Sequence, residues 1–214
     1  MLYGLLPYVS NRYSYATYSY DFYDNKEIIC NTCARTKNII QLRYWPPKIT
    51  LEGGKRYPDC LYITSPFEDK CGMVLSDRAL AAFRKENITG FVSEPITILD
   101  NIKNNQDQLL SSMPQYHYIY IKGKISLDYQ KMHYRKKNIC NECGEYTWSR
   151  IKIGESVIDY STWDKSDLCK LEDYPNYFLC TQRVIDVIKK YKLKGFAKVS
   201  ERDLFRTLKA EKIC

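Results

Sequence analysis

Two cysteine pairs are the residues of this 214-residue chain best placed to do chemistry: Cys30-Asn31-Thr32-Cys33 and Cys140-Asn141-Glu142-Cys143. They are its only C-x-x-C motifs, and Cys60, Cys71, Cys169, Cys180 and Cys214 stand singly. Nine cysteines in a small exported chain would suggest disulfides. Here the number is odd and the opening Met1-Leu-Tyr-Gly-Leu-Leu-Pro7 has neither a charged leader nor a long apolar core, so thiols or thiolates are expected. Two thiolates three residues apart on a tight turn can grip one Zn²⁺ at about 2.3 Å per bond, and two such knuckles complete a tetrahedron. Asn31 and Asn141 suit the turn, because asparagine tolerates left-handed backbone. Zinc ribbons usually separate their knuckles by about 15–20 residues, whereas 106 residues lie between Cys33 and Cys140. A single site would therefore be long-range, with one knuckle from each half of the chain. A redox pair and unliganded thiols stay open as alternatives, although neither motif shows the strand-to-helix context of a redox C-x-x-C.

Other catalytic constellations are scarce. His117 and His133 are the only histidines, and no phosphate loop, nucleophile elbow, dinucleotide fingerprint or metalloprotease motif occurs. A closed four-cysteine zinc site also leaves no position for water, so no enzyme activity is expected. The five scattered cysteines read as small buried hydrophobes.

Composition agrees with a folded, water-soluble chain: 44% hydrophobic, 27% charged and a net charge of +8. The charge attracts an acidic partner but is modest for a dedicated nucleic-acid binder. No apolar run approaches the roughly 20 residues needed to cross a bilayer, and the expected location is cytoplasmic.

The elements that must position the cysteines follow from periodicity. Tyrosines two apart in the first 25 residues predict a hairpin or edge strand. Their rings either cover a thin sheet or form a contact surface. A strand is expected over Ile39–Trp45, ended by Pro46-Pro47. Ser76 predicts the N-cap of a helix running to about Glu86, closed by Gly90 and Phe91. Asp100–Gln108 reads as a polar loop or short exposed helix. Tyr118–Ile121 and Ile125–Tyr129 flank Lys122-Gly123-Lys124 as a predicted hairpin. A long loop is then expected up to Thr181, the N-cap of a second helix carrying Val184, Ile185, Val187 and Ile188 and closed by Gly195 and Phe196.

The two helical stretches align without a gap. Arg78, Lys85, Gly90 and Phe91 fall on Arg183, Lys190, Gly195 and Phe196, four identities in eighteen columns where about one is expected by chance. Ile29-Cys30-Asn31 likewise matches Ile139-Cys140-Asn141. The expected fold is α+β: a single domain of two pseudo-repeats, about 1–100 and 101–214, each with strands or a hairpin, a C-x-x-C knuckle, a helix and a closing strand. The two share one core and are stapled by zinc.

This layout resembles the double-CXXCG motif family, described mainly from myxobacterial paralogues and associated with immunity proteins of the Sit polymorphic-toxin systems. The resemblance rests on the two cysteine motifs, the Val74-Leu-Ser-Asp-Arg-Ala-Leu80 stretch with Gly90-Phe91, and Lys194-Gly195-Phe196. The second motif keeps the family's glycine as Gly144, whereas the first has Ala34. The resemblance implies a bacterial cytoplasmic immunity protein that neutralises a cognate toxin by protein–protein interaction, with Cys30, Cys33, Cys140 and Cys143 holding a structural Zn²⁺. Tyr13, Tyr15, Tyr18, Tyr20, Asp164 and Asp167 are the candidate partner-binding residues. The alternative is a zinc-containing nucleic-acid-binding protein, with Lys131–Lys137 and the last helix on phosphates. Neither a membrane nor nucleic acid is the expected partner, and the oligomeric state is open.

Overall fold

The computed structural model describes residues 1–8, 15–18, 23–42, 48–52, 56–61, 72–102, 113–131, 136–144, 147–148, 158–172, 174–203 and 211–212. Its first part contains strands β1 (Leu2–Pro7), β2 (Tyr15–Tyr18), β3 (Tyr23–Ile29), β4 (Thr36–Leu42), β5 (Lys48–Glu52), β6 (Cys60–Leu61) and β7 (Gly72–Ser76). Helix α1 (Asp77–Lys85), β8 (Phe91–Pro95) and β9 (Thr97–Ile102) follow. Next come β10 (Tyr116–Ile121), β11 (Gly123–Leu127), β12 (Lys136–Lys137), β13 (Thr147–Trp148), β14 (Ile158–Asp159), β15 (Leu168–Leu171) and β16 (Tyr174–Thr181). Helix α2 (Gln182–Lys190), β17 (Phe196–Ser200) and β18 (Glu211–Lys212) complete the order. The fold is thus mixed α+β, with several sheets and two helices.

A seven-stranded sheet runs β14-β11-β15-β16-β1-β17-β18, and a four-stranded one runs β6-β7-β10-β8. In both, a strand from elsewhere in the chain is inserted between the strand that enters a helix and the strand that leaves it. β10 pairs antiparallel with β7 and β8, and β1 pairs antiparallel with β16 and β17. The registers correspond: Tyr118 faces Val74 and Glu94, while Gly4 faces Leu179 and Val199. β1 reaches α2's sheet from the start of the sequence, whereas β10 follows α1 by about thirty residues.

Both helices form where an apolar stripe coincides with helix signals at its ends. Ser76 caps α1 by accepting a hydrogen bond from the Ala79 amide, and Arg84 and Lys85 occupy the last turn. Lys189 and Lys190 do the same for α2. The stripes bury Ala79, Leu80, Ala82 and Phe83 on α1, and Val184, Ile185, Val187 and Ile188 on α2. They meet in one cluster that also holds Leu5, Leu75, Ile119, Leu168 and Phe178. Phe83 has no exposed surface and lies 6.2 Å, centroid to centroid, from both Phe91 and Phe196. Burying a side chain of this size contributes on the order of 2–3 kcal/mol.

After each helix the chain passes very close to a strand of the opposite sheet. A Cβ on Gly90 would lie 2.0 Å from the Leu168 carbonyl oxygen, and one on Gly195 would lie 2.5 Å from that of Cys60. Only glycine fits this approach, and it permits hydrogen bonds from the Leu168 amide to the Thr89 carbonyl and from the Cys60 amide to the Lys194 carbonyl.

Several sequence expectations need correction. Tyr118–Ile121 and Ile125–Leu127 are strands, but not a hairpin: β10 joins the four-stranded sheet, while β11 pairs in parallel with β15 in the seven-stranded one. Lys122 and Gly123 both donate to the Gly90 carbonyl, which turns the chain from one sheet into the other. Asp100–Ile102 is strand, part of β9 in parallel with β5; residues 103–108 lie outside the described residues. The expected loop before Thr181 contains β13 to β16. β1 is an interior strand, whereas β2 is an edge strand of the sheet β2-β5-β9. The strand over Ile39–Trp45 is present as β4, with 43–47 outside the described residues.

Candidate metal centre

Each cysteine pair sits at the tip of a two-stranded hairpin. β3 and β4 pair from Tyr23↔Leu42 to Ile29↔Thr36 and present Cys30 and Cys33 between them. β12 and β13 do the same for Cys140 and Cys143. The two tips are built alike. The Ala34 amide donates to the Cys30 carbonyl and the Gly144 amide to the Cys140 carbonyl, both at 2.9 Å. The residue after the second cysteine is left-handed in both, with φ of 54° at Ala34 and 73° at Gly144. Ala34 therefore adopts the backbone conformation that glycine takes in the other knuckle, at a cost of roughly 1 kcal/mol.

The hairpins bring all four sulfurs together across 110 residues of sequence. Cys30 Sγ lies 3.8 Å from Cys140 Sγ, and Cys33 Sγ lies 3.7 Å from Cys143 Sγ. The four ligand atoms all fall within 4.8 Å of one another. These contacts are far too long for disulfides, whose S–S bond is about 2.05 Å. They match the edges of a tetrahedron, about 3.8 Å when each metal–sulfur bond is about 2.3 Å. The cluster can thus hold a metal ion, and an all-thiolate donor set suits a soft or borderline cation such as Zn²⁺.

The electrostatics favour sulfur in its anionic form at one ligand at least. The Cys143 amide, and after it the Glu142 amide, pull the Cys140 thiol down to about 7. Between the tips, Thr32 Oγ1 donates to the Glu142 carboxylate, and Arg35 Nη2 donates to the Asn138 carbonyl at 3.3 Å. Arg35 Nη1 is buried without a hydrogen-bond partner. The lone cysteines behave differently. Burial pushes the Cys60 and Cys180 thiols up and raises Cys169 to about 12, as expected of neutral packing groups. Cys71 and Cys214 lie outside the described residues.

The other candidate residues are not assembled in this way. Tyr15 and Tyr18 belong to edge strand β2, and Tyr13 and Tyr20 lie outside the described residues. Asp164 is exposed and caps a turn by accepting from the Ser166 amide at 3.0 Å. Asp167 is a correction: it is 7% exposed, so its carboxylate serves the interior instead of a surface. It accepts from Thr89 N and Oγ1, Thr181 Oγ1 and Arg183 Nη1. His117 lies on β10, and its Nε2 contacts Asp77 at the start of α1.

Asp59, which sequence reasoning passed over, has the same role as Asp167. Also 7% exposed, it accepts from Ser76 Oγ, Arg78 Nε and Nη2, and the Lys194 amide. The signal was present as an aspartate just before the second strand upstream of each helix: Asp59-Cys60-Leu61 and Asp167-Leu168-Cys169. Both arginines continue to the far helix. Arg78 reaches the Tyr191 and Lys192 carbonyls, and Arg183 reaches that of Glu86. Among the described residues, no helix is long and apolar enough to cross a membrane. No protein-family model matches the chain, and no curated protein does either.

Proposed function

We propose that the chain is an internally duplicated immunity protein. It binds and neutralises a cognate bacterial toxin in the cytoplasm, and its architecture is held by one structural Zn²⁺ on Cys30, Cys33, Cys140 and Cys143. The observation that carries this reading is the closure of four sulfurs, two from each half of the chain, on a volume the size of one ion. A four-thiolate shell leaves no position for substrate or water, so its contribution is to folding.

The duplication reading is supported by the paired strand insertions, the two aspartate networks and the two glycine close approaches; Gly90 and Gly195, Arg78 and Arg183, and Ser76 and Thr181 fall on positions matched by the ungapped alignment of the helices. Because β1 and β10 each complete a sheet of the other half, the repeats form a single domain, about 1–100 and 101–214, and neither can be cut away without removing a strand from its partner. The immunity reading is supported by the resemblance to the double-CXXCG family.

Two experiments test it. Metal analysis of the purified chain is expected to give one zinc per molecule; two metals or none would refute the staple. Cells expressing a polymorphic toxin encoded beside this gene are expected to survive only when this chain is co-expressed. Survival that does not depend on the chain would refute immunity. Tight binding to random DNA or RNA with a steep salt slope would favour the nucleic-acid reading instead.

A further inference from the structure

The two sheets that receive inserted strands end differently. Beyond β17 the seven-stranded sheet continues into β18, with Ala197 opposite Lys212 and Lys198 opposite Glu211 in antiparallel register. The matching strand of the other sheet, β8, is the last in the order β6-β7-β10-β8 and has no outer partner among the described residues. An edge strand of this kind presents backbone donors and acceptors that pair readily with an added strand.

Exposure follows the same contrast. Ala197 and Val199 on the covered strand are 1% and 2% exposed, whereas Val92, which matches Ala197, is 45% exposed. Glu94, which matches Val199, is also exposed. Beside β8 an open groove of about 510 Å³ is lined by Arg84, Asn87, Ile88, Thr89, Phe91, Val92 and Ser93. The cation is retained by a different route. Lys198 stands opposite Glu211 on the covered edge, while at the matching Ser93 the charge is supplied from α1, Arg84 Nη2 donating to Ser93 Oγ at 2.8 Å. Pro95 ends β8, as is usual on an edge.

We propose that the outer edge of β8, unpaired among the described residues, docks an extended segment of a protein partner by antiparallel strand addition. An apolar side chain of that segment covers Val92, and an acidic side chain opposite Ser93 meets Arg84, as Glu211 stands opposite Lys198. From the immunity reading the proposal takes only that this chain docks to another protein.

The probe is a capped pentapeptide, TVEVT, titrated into the full chain and followed by amide chemical shifts, with TVKVT as control. TVEVT is expected to perturb Phe91 to Glu94 and to bind about threefold tighter than TVKVT, the size of one cross-strand charge pair. In Arg84→Glu, an exposed position, the preference is expected to invert. Three results would overturn the proposal: no response over residues 91–94, an equal response to both peptides in both proteins, or slow hydrogen exchange in the free protein at the Ser93 amide, which alternates with the β10-paired Val92 and Glu94 and faces the outer edge, since that would show the edge covered by the chain itself. A concentration-dependent dimer lost in Val92→Asp would assign the edge to a second copy and overturn it too. Toxin survival is scored separately: immunity without a peptide response sinks the edge alone, and a peptide response without immunity sinks the functional reading alone.

Discussion

The aspartates before β6 and β15 occupy equivalent networks, yet the hydroxyls beside them differ. Ser76 Oγ donates to Asp59 at 2.8 Å and also accepts from the Ala79 amide at 3.3 Å, so it ties the network and caps α1 at once. Thr181 Oγ1 donates to Asp167 at 2.9 Å, and its side chain makes no capping bond to α2. The bond to aspartate is kept in both halves, whereas the cap is kept in one. In this fold, then, satisfying a buried carboxylate takes precedence over satisfying a helix terminus. A helix end can share its orphan amides with water or neighbours, but a buried charge needs its donors.

The largest expected effect compares the sulfur cluster with everything else. Cys30→Ser and Cys140→Ser are expected to lose the metal and most of the folded population alike, because apparent binding energies of structural zinc are about 10–16 kcal/mol. Metal content and thermal melts measure this. A melt unchanged by either variant or by a chelator would show the hairpin tips to be unlinked.

Next come the aspartates. Asp59→Asn and Asp167→Asn are each expected to cost about 2 kcal/mol in denaturant unfolding, since each deprives several buried donors of a charged acceptor, while the half-exposed arginines keep solvent and carbonyl partners. A difference above about 2 kcal/mol between them would break the equivalence of the two networks. Their hydroxyl partners sharpen the comparison: Ser76→Ala is expected to cost about 2 kcal/mol, against about 1 kcal/mol for Thr181→Ala, because only the serine also caps a helix.

A smaller effect of opposite sign is expected at the knuckles. Ala34→Gly relieves a left-handed alanine and is expected to stabilise by up to about 1 kcal/mol, whereas Gly144→Ala is expected to destabilise by a similar amount. A Cβ on Gly144 would meet nothing within 4 Å, so backbone conformation alone sets that cost.

The smallest effect concerns pH. The Lys190 ammonium first, then the Tyr191 hydroxyl, hold the Glu86 carboxyl below its usual range. The contribution of this group is therefore complete above the ordinary carboxylate pKa, near 4.3, and is lost as pH falls through the lower folded value. Glu86→Gln is expected to flatten the acid limb of the stability profile slightly. An identical limb would show the contact to be without net effect.

Local chemistry was legible in the sequence. The helices begin one residue after Ser76 and Thr181, and the four paired cysteines converge as their spacing implied. Strand partnership was not legible. Lys122-Gly123-Lys124 between two apolar runs has hairpin composition, but the amides of Lys122 and Gly123 are held by the Gly90 carbonyl, a distant group that no local pattern encodes. Asp167 was misplaced for a similar reason. Its acidic neighbours in sequence suggest a solvated loop, while the donors that bury it come from Thr89, Thr181 and Arg183.

The insertion of β1 between β16 and β17 sets a timetable for synthesis. When Leu2–Pro7 leaves the ribosome, neither flanking strand exists, and the second is complete only at Ser200. That stretch must wait unpaired while the residues up to Ser200 are made, its apolar side chains open to chaperones or misassociation, before both of its neighbours exist. Closure of this sheet is thus governed by a segment far downstream of the strand it encloses.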